Sequence, residues 1–333
     1  MNIDKLSEIL SDQPAYRFKQ VYKAIWQDLI DNFDQATTLP KELRQKLNDN
    51  CPLNINGELF KTDDKKTLKA LLTLGDENKI ETVLMMHNDG RHTVCVSAQV
   101  GCALRCGFCA TGEMGFKRNL TVGEITEQVL FFARYIKKNY EPDDRVSNVV
   151  FMGMGEPFLN YQNVMSAIRL LNSEDGLGIG ARKISISTSG IIEGIKKLSK
   201  EGLQVNLALS LHAPNDKMRQ KLMPISKKYP LKKLISALDD YIQKTSRQVM
   251  IEYLLIKGIN DWPETAQELA DLLQGKLVVV NLIACNPVGD NKPSPEAVIK
   301  KFKHILERNG VVVTQRYRFG REIDAACGQL AAK

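Results

Sequence analysis

Three cysteines crowd one short loop. In "GCALRCGFCATG", residues 101–112, they stand at positions 102, 106 and 109. A structural zinc ion wants four ligands, and a disulfide framework wants an even number of cysteines. The nearest further candidates, Cys95 and His92, lie upstream at a spacing outside such motifs. A [4Fe–4S] cube usually takes four thiolates, so three leave one iron open. A small molecule with an amino and a carboxylate group can chelate that iron. Cys102, Cys106 and Cys109 are therefore the expected metal ligands. The competing readings are a zinc site or three unrelated core thiols.

Other short polar motifs fit such a cofactor. "GMGEP" (153–157) offers Gly155 for close backbone approach and the Glu156 carboxylate as an acceptor for an ammonium group. Ser187 in "STSG", Ser210, Leu211 and His212 in "SLHAP", and Asn286 in "CNP" complete the expected cofactor-binding set. Taken singly, each polar residue reads first as a turn-former. Two more cysteines have distinctive settings: Cys95 lies just before the cysteine loop, and Cys327 sits among small residues in "IDAACGQL". Cys51 and Cys285 read as ordinary buried thiols.

The elements that must position these residues follow from periodicity. Residues 1–50 read as a helical accessory domain. Phe18, Val21, Ile25 and Leu29 mark one apolar helix face, with Arg17, Lys19 and Lys23 on the other. Pro40 suits the first turn of a further helix. Residues 51–92 read as a short β connecting region, with a hairpin at Asp89-Gly90. Residues 93–333 form the core and a C-terminal extension. Apolar β-branched runs at 93–98, 147–153, 183–188, 205–211, 249–256 and 277–283 alternate with helical patterns, and 311–317 closes the series. Thr121 and Glu124 form a capping box for the first of those helices. The fold class is α/β, a partial (β/α)6 TIM-like barrel with a small helical N-terminal domain. Every polar motif follows a strand, and the carboxyl ends of strands are where such barrels carry active sites.

A chain of 333 residues with 43% hydrophobic content can bury a large core. Seven cysteines without an export signal point to a reducing cytoplasm. No apolar run is long enough to cross a bilayer, so no membrane partner is expected. The net charge of +7 permits a nucleic-acid partner. Lys217, Arg219, Lys221, Lys227, Lys228, Lys232 and Lys233 form a basic run that reads equally as a solvated helix face or as phosphate contacts.

The C-x3-C-x2-C loop after the first barrel strand resembles that of radical S-adenosylmethionine enzymes. Beyond that loop, "CVSAQVGCALRCGFCATGEMGFKRNL", "FMGMGEPFLNY", "ISISTSGI", "LALSLHAPND", "LMPI" and "DAACGQL" resemble the 23S rRNA (adenine-2503-C2)-methyltransferase family nearly end to end. Adenine C2 has no usable lone pair, so ordinary methyl transfer lacks a nucleophile there. The resemblance implies one [4Fe–4S] cluster per chain and two S-adenosylmethionine molecules per turnover. The first would methylate Cys327; the second would yield a radical that takes a hydrogen atom from that methyl group. The carbon radical would add to the base, and Cys95 would resolve the enzyme–RNA link by forming a disulfide with Cys327. Glu81 matches the family's proton acceptor. The implied partners are 23S rRNA before full ribosome assembly, tRNA adenine 37 as a second candidate, and a flavodoxin- or ferredoxin-type electron donor, with the enzyme a monomer. The alternatives are a relative that methylates C8 of the same adenine, and a non-catalytic zinc-containing RNA-binding protein.

Overall fold

The computed structural model describes residues 3–53, 55–316 and 320–332. The N-terminal segment is helical as expected: α1 (Ile3–Ser11), α2 (Ala15–Trp26) and α3 (Lys41–Asn50). Leu6, Val21, Ile25, Trp26, Phe33 and Leu47 close its small core, all essentially buried. The expected apolar face is shorter at both ends. Phe18 is exposed and stacks on Tyr22, and Leu29 lies beyond the helix with a left-handed backbone (φ 53°). Pro40 stands at the N-cap of α3, one residue before its first turn.

Next come the antiparallel strands β1 (Asn56–Lys61), β2 (Thr67–Thr73) and β3 (Lys79–Met86), followed by β4 (His92–Cys95). The β3–β4 turn is the hairpin expected at Asp89-Gly90, with Gly90 at φ 82°. A separate ribbon, β5 (Gln99–Gly101) with β6 (Phe116–Asn119), brackets the cysteine loop and the single-turn helix α4 (Ala110–Glu113).

The βα rhythm then runs through α5 (Val122–Asn139), β7 (Asn148–Phe151), α6 (Tyr161–Asn172), β8 (Ile184–Thr188), α7 (Ile192–Leu198) and β9 (Asn206–Ser210). It continues with α8 (Asp216–Leu222), α9 (Leu231–Thr245), β10 (Val249–Leu255), α10 (Pro263–Leu273), β11 (Val278–Ala284), α11 (Glu296–Arg308) and β12 (Val313–Gln315). Tyr317, at the end of the expected last strand, lies outside the described residues.

Among the described residues ten strands form one sheet in the order β1-β2-β3-β4-β7-β8-β9-β10-β11-β12, parallel from β4 onward. Within the described residues the ends do not pair with each other, so the barrel is partial. The antiparallel strands add directly to β4, so the sheet runs unbroken across residues 92 and 93. The capping box is formed: Thr121 Oγ1 accepts from Glu124 N, and Glu124 Oε2 accepts from Thr121 N at 2.9 Å. Among the described residues no helix is long and apolar enough to cross a membrane.

Candidate active site

At the carboxyl ends of the parallel strands lies a cavity of about 160 Å³, and Cys102, Cys106 and Cys109 line one side of it. Their loop is fastened from outside: Cys102 N donates to Gly115 O at 2.9 Å, and Gly107 N to Leu222 O at 2.9 Å. Burial is the main cause that pushes the Cys102 thiol up to about 11, and it raises Cys106 as well, with the neighbouring thiols adding to both. Among the described residues no three His, Cys, Asp or Glu side chains converge on one ion-sized point.

Facing the loop is the "GMGEP" turn. Gly155 has φ 92°, and a Cβ there would lie 2.4 Å from the Gln99 side chain, so only glycine fits. The Glu156 carboxylate is buried and accepts from Ser189 N (2.7 Å) and Phe158 N (3.1 Å). Burial raises its pKa, and hydrogen bonds from the Ser189 and Phe158 backbones and the Thr188 and Ser189 side chains oppose that shift. Ser187 and Ser210 line the cavity with their hydroxyls 3.4 Å apart. His212 lines it too, edge-on to Phe108 of the cysteine loop at 4.8 Å. Leu211 does not: its side chain is fully buried in the core, as expected of an apolar residue between two inward polar ones.

Cys327 borders this cavity and a second, smaller one of about 40 Å³, which Cys95 also lines. Both thiols are free. Burial pushes Cys95 up to about 12. Asn286 lines the smaller cavity and donates to Cys327 O at 3.0 Å, so it holds the Cys327 loop directly. Gly328 (φ 85°) packs against the cysteine loop, where a Cβ would meet Phe108 O at 2.8 Å.

Glu81 departs from its expected place. It lines neither cavity. Its buried carboxylate pairs with Lys69 Nζ at 2.8 Å and accepts from Ala331 N (2.7 Å) and Ala332 N (3.1 Å). In this arrangement it clasps the C-terminal segment. Arg219 is also corrected. It is fully buried and donates to Leu211 O, Ser226 Oγ, Ser189 O and Ser210 O, so it belongs to neither a solvated face nor a phosphate site.

Sequence reasoning missed Glu252, Arg316 and Met152, all of which line the main cavity. A signal existed for the first: Glu252 is the one charged residue inside the apolar run 249–256. Arg316 and Met152 carried none.

Together, the partial barrel and the three-thiol loop at its carboxyl face define a radical S-adenosylmethionine enzyme. The family model of the Radical SAM superfamily matches residues 96–273, and that of the ribosomal RNA large subunit methyltransferase N-terminal domain matches residues 2–53. The probable dual-specificity RNA methyltransferase RlmN of Dictyoglomus thermophilum is 47% identical, with 99% of this chain and 95% of that protein covered. Its counterpart in Symbiobacterium thermophilum is 44% identical, with 99% and 90% covered. The crystal structure of a radical SAM methyltransferase from Sphaerobacter thermophilus superposes with a TM-score of 0.95 at 44% identity, over 100% of this chain and 98% of that one. The chain belongs to the RlmN family of radical SAM RNA methyltransferases.

Proposed function

We propose that this protein methylates C2 of adenine 2503 in 23S rRNA, with adenine 37 of tRNA as a second substrate, through an S-methylated Cys327. The observation that carries the reading is the shared cavity wall of Cys327 and Cys95, adjoining the cavity of the three cluster thiols. Cys102, Cys106 and Cys109 would hold a [4Fe–4S] cluster, and Gly155, Glu156, Ser187, Ser210 and His212 would hold S-adenosylmethionine against it. When bound, this pair supplies a one-electron cleavage that gives a carbon radical.

The remaining work falls to the chain. Cys327 offers its sulfur to a methyl group and then holds that carbon against the base. Asn286 fixes the backbone from which it does so. Cys95 stays a thiol until the link to RNA must be cut, in keeping with its raised pKa. It then forms a disulfide with Cys327 as the carbon–sulfur bond breaks. The helical segment 1–50 and the exposed lysines of α8 and α9 are assigned to RNA.

Protein produced with S-adenosylmethionine available is expected to carry one extra methylene on its Cys327 peptide by mass spectrometry. Cys327→Ala should abolish methylation while loading about four irons per chain. Cys95→Ala should accumulate the covalent enzyme–RNA adduct. Normal turnover by Cys95→Ala would overturn the resolving role, and finding only 8-methyladenine in the rRNA would overturn C2.

A further inference from the structure

Among the described residues, one residue of the main cavity wall, Glu252, has a buried carboxylate oxygen without a hydrogen-bond partner. Glu252 lies in β10, in register with Ser210 of β9 and Asn281 of β11, and is 3% exposed. Its Oε2 accepts from Asn281 Nδ2 at 2.9 Å and faces Arg316 Nη1 at 3.9 Å. Its Oε1 is buried and unpaired among the described residues. Leaving a buried acceptor unsatisfied is costly, so such an atom on a cavity wall marks the place of a missing donor.

Arg316 has the complementary surplus. Among the described residues its guanidinium makes one hydrogen bond, to the weak acceptor Met152 Sδ at 3.3 Å. It lines both cavities, as does Cys327. Arg316 thus stands 3.9 Å from the Glu252 acceptor and shares both cavity walls with the Cys327 sulfur.

The Watson–Crick edge of adenine carries an amine donor at N6, an acceptor at N1 and the carbon C2, side by side. Enzymes that act on a base withdrawn from its stack read this edge by hydrogen bonds. We propose that Glu252 and Arg316 recognise the target base by that edge, Glu252 accepting from N6 and Arg316 donating to N1, which sets C2 against Cys327. This assignment rests on the adenine reading above. Guanine presents the opposite pattern, a carbonyl towards Glu252 and an N–H towards Arg316, and is rejected twice. Cytosine matches the first two groups but puts an oxygen where C2 must be. A donor at N1 also draws electron density from the ring at C2, which favours attack there by a carbon radical.

The test uses cluster-loaded, full-length protein and an RNA hairpin whose target is adenine, purine (no 6-amino group) or 1-deazaadenine (no N1). Wild type is expected to lose about 10- to 100-fold in kcat/KM when either group is removed. Glu252→Met should lose a similar factor on adenine and nothing further on purine. Arg316→Met should behave likewise on 1-deazaadenine. Glu252→Gln and Arg316→Lys, which keep an acceptor and a donor, should recover part of each loss.

Additive losses would overturn the proposal, as would a Glu252 variant whose defect is only weaker S-adenosylmethionine binding. Should the methionine variants fail to load a cluster, wild type decides alone: equal rates on purine and adenine overturn the assignment. A wild-type enzyme that methylates no adenine defeats the adenine reading itself, whereas adenine methylation with additive losses defeats only the edge recognition.

Discussion

His212 is held neutral by its surroundings. It is 5% exposed, and its Nδ1 accepts from Leu254 N at 3.0 Å, so the ring proton sits on Nε2. Burial, assisted by the buried Arg219 guanidinium, lowers its pKa from 6.5 to about 3. The folded state therefore binds fewer protons than the unfolded chain between those two values. Stability from this residue is complete above about pH 6.5 and is lost as the pH falls towards 3. Between pH 7.5 and 5.5 it should cost the apoprotein about 1 kcal/mol. His212→Gln should remove that part of the slope in urea unfolding, and an unchanged slope would refute the neutral ring. Little of this was legible in advance. His212 read as a cavity residue because it ends a strand, but its tautomer depends on a backbone amide 42 residues away. Arg219 is a sharper case. Its neighbours Lys217 and Lys221 are exposed while it is buried, and nothing in a run of basic residues marks which one turns inward.

At the scale of elements, the segment carrying Cys327 is tied to the cysteine loop itself. Ala110 N, at the start of α4, donates to Gly328 O at 2.7 Å, and Thr111 Oγ1 donates to Leu330 O at 2.6 Å. Glu81, steadied by Lys69, receives Ala331 N and Ala332 N from the other side. The loop that would hold the cluster and the loop that carries Cys327 are thus one hydrogen-bonded unit, though some 200 residues separate them in sequence. Removing one such bond costs about 1 kcal/mol. Thr111→Val should therefore raise amide exchange at residues 328–332 about fivefold, with faster alkylation of Cys327. Glu81→Leu, which removes the acceptor for Ala331 N and Ala332 N, should do the same. If Glu81 served instead as a proton acceptor, its amide variant would shift the pH profile of methylation and leave exchange untouched. Sequence spacing supplied the two loops separately. Their joining depends on backbone donors and acceptors, which no side-chain pattern records.

Across the whole molecule, the βα alternation was legible because parallel strands buried on both faces read as continuous apolar runs. The continuity of β1–β3 with the barrel was not, since strand order across a hairpin is set by pairing and not by composition. The same architecture gives the basic residues a location. Helices that follow strands begin at the carboxyl face, so α8, which follows β9, starts on the side of the cavity. Contact with the cysteine loop through Gly107 N and Leu222 O places this helix beside it. Lys217, Lys221, Lys227, Lys228, Lys232 and Lys233 are all exposed there. A cluster of like charge beside the cysteine loop, on a chain of net charge +7, would draw in a polyanion. The triple variant Lys227→Gln, Lys228→Gln, Lys232→Gln should weaken RNA binding and flatten its salt dependence. Each lost phosphate contact on a single strand reduces the slope of log affinity against log salt by about 0.7, so three should reduce it by about 2. A filter-binding titration at several salt concentrations measures the slope. An unchanged slope would leave these lysines as solvated charges and move the RNA path to the helices of residues 1–50.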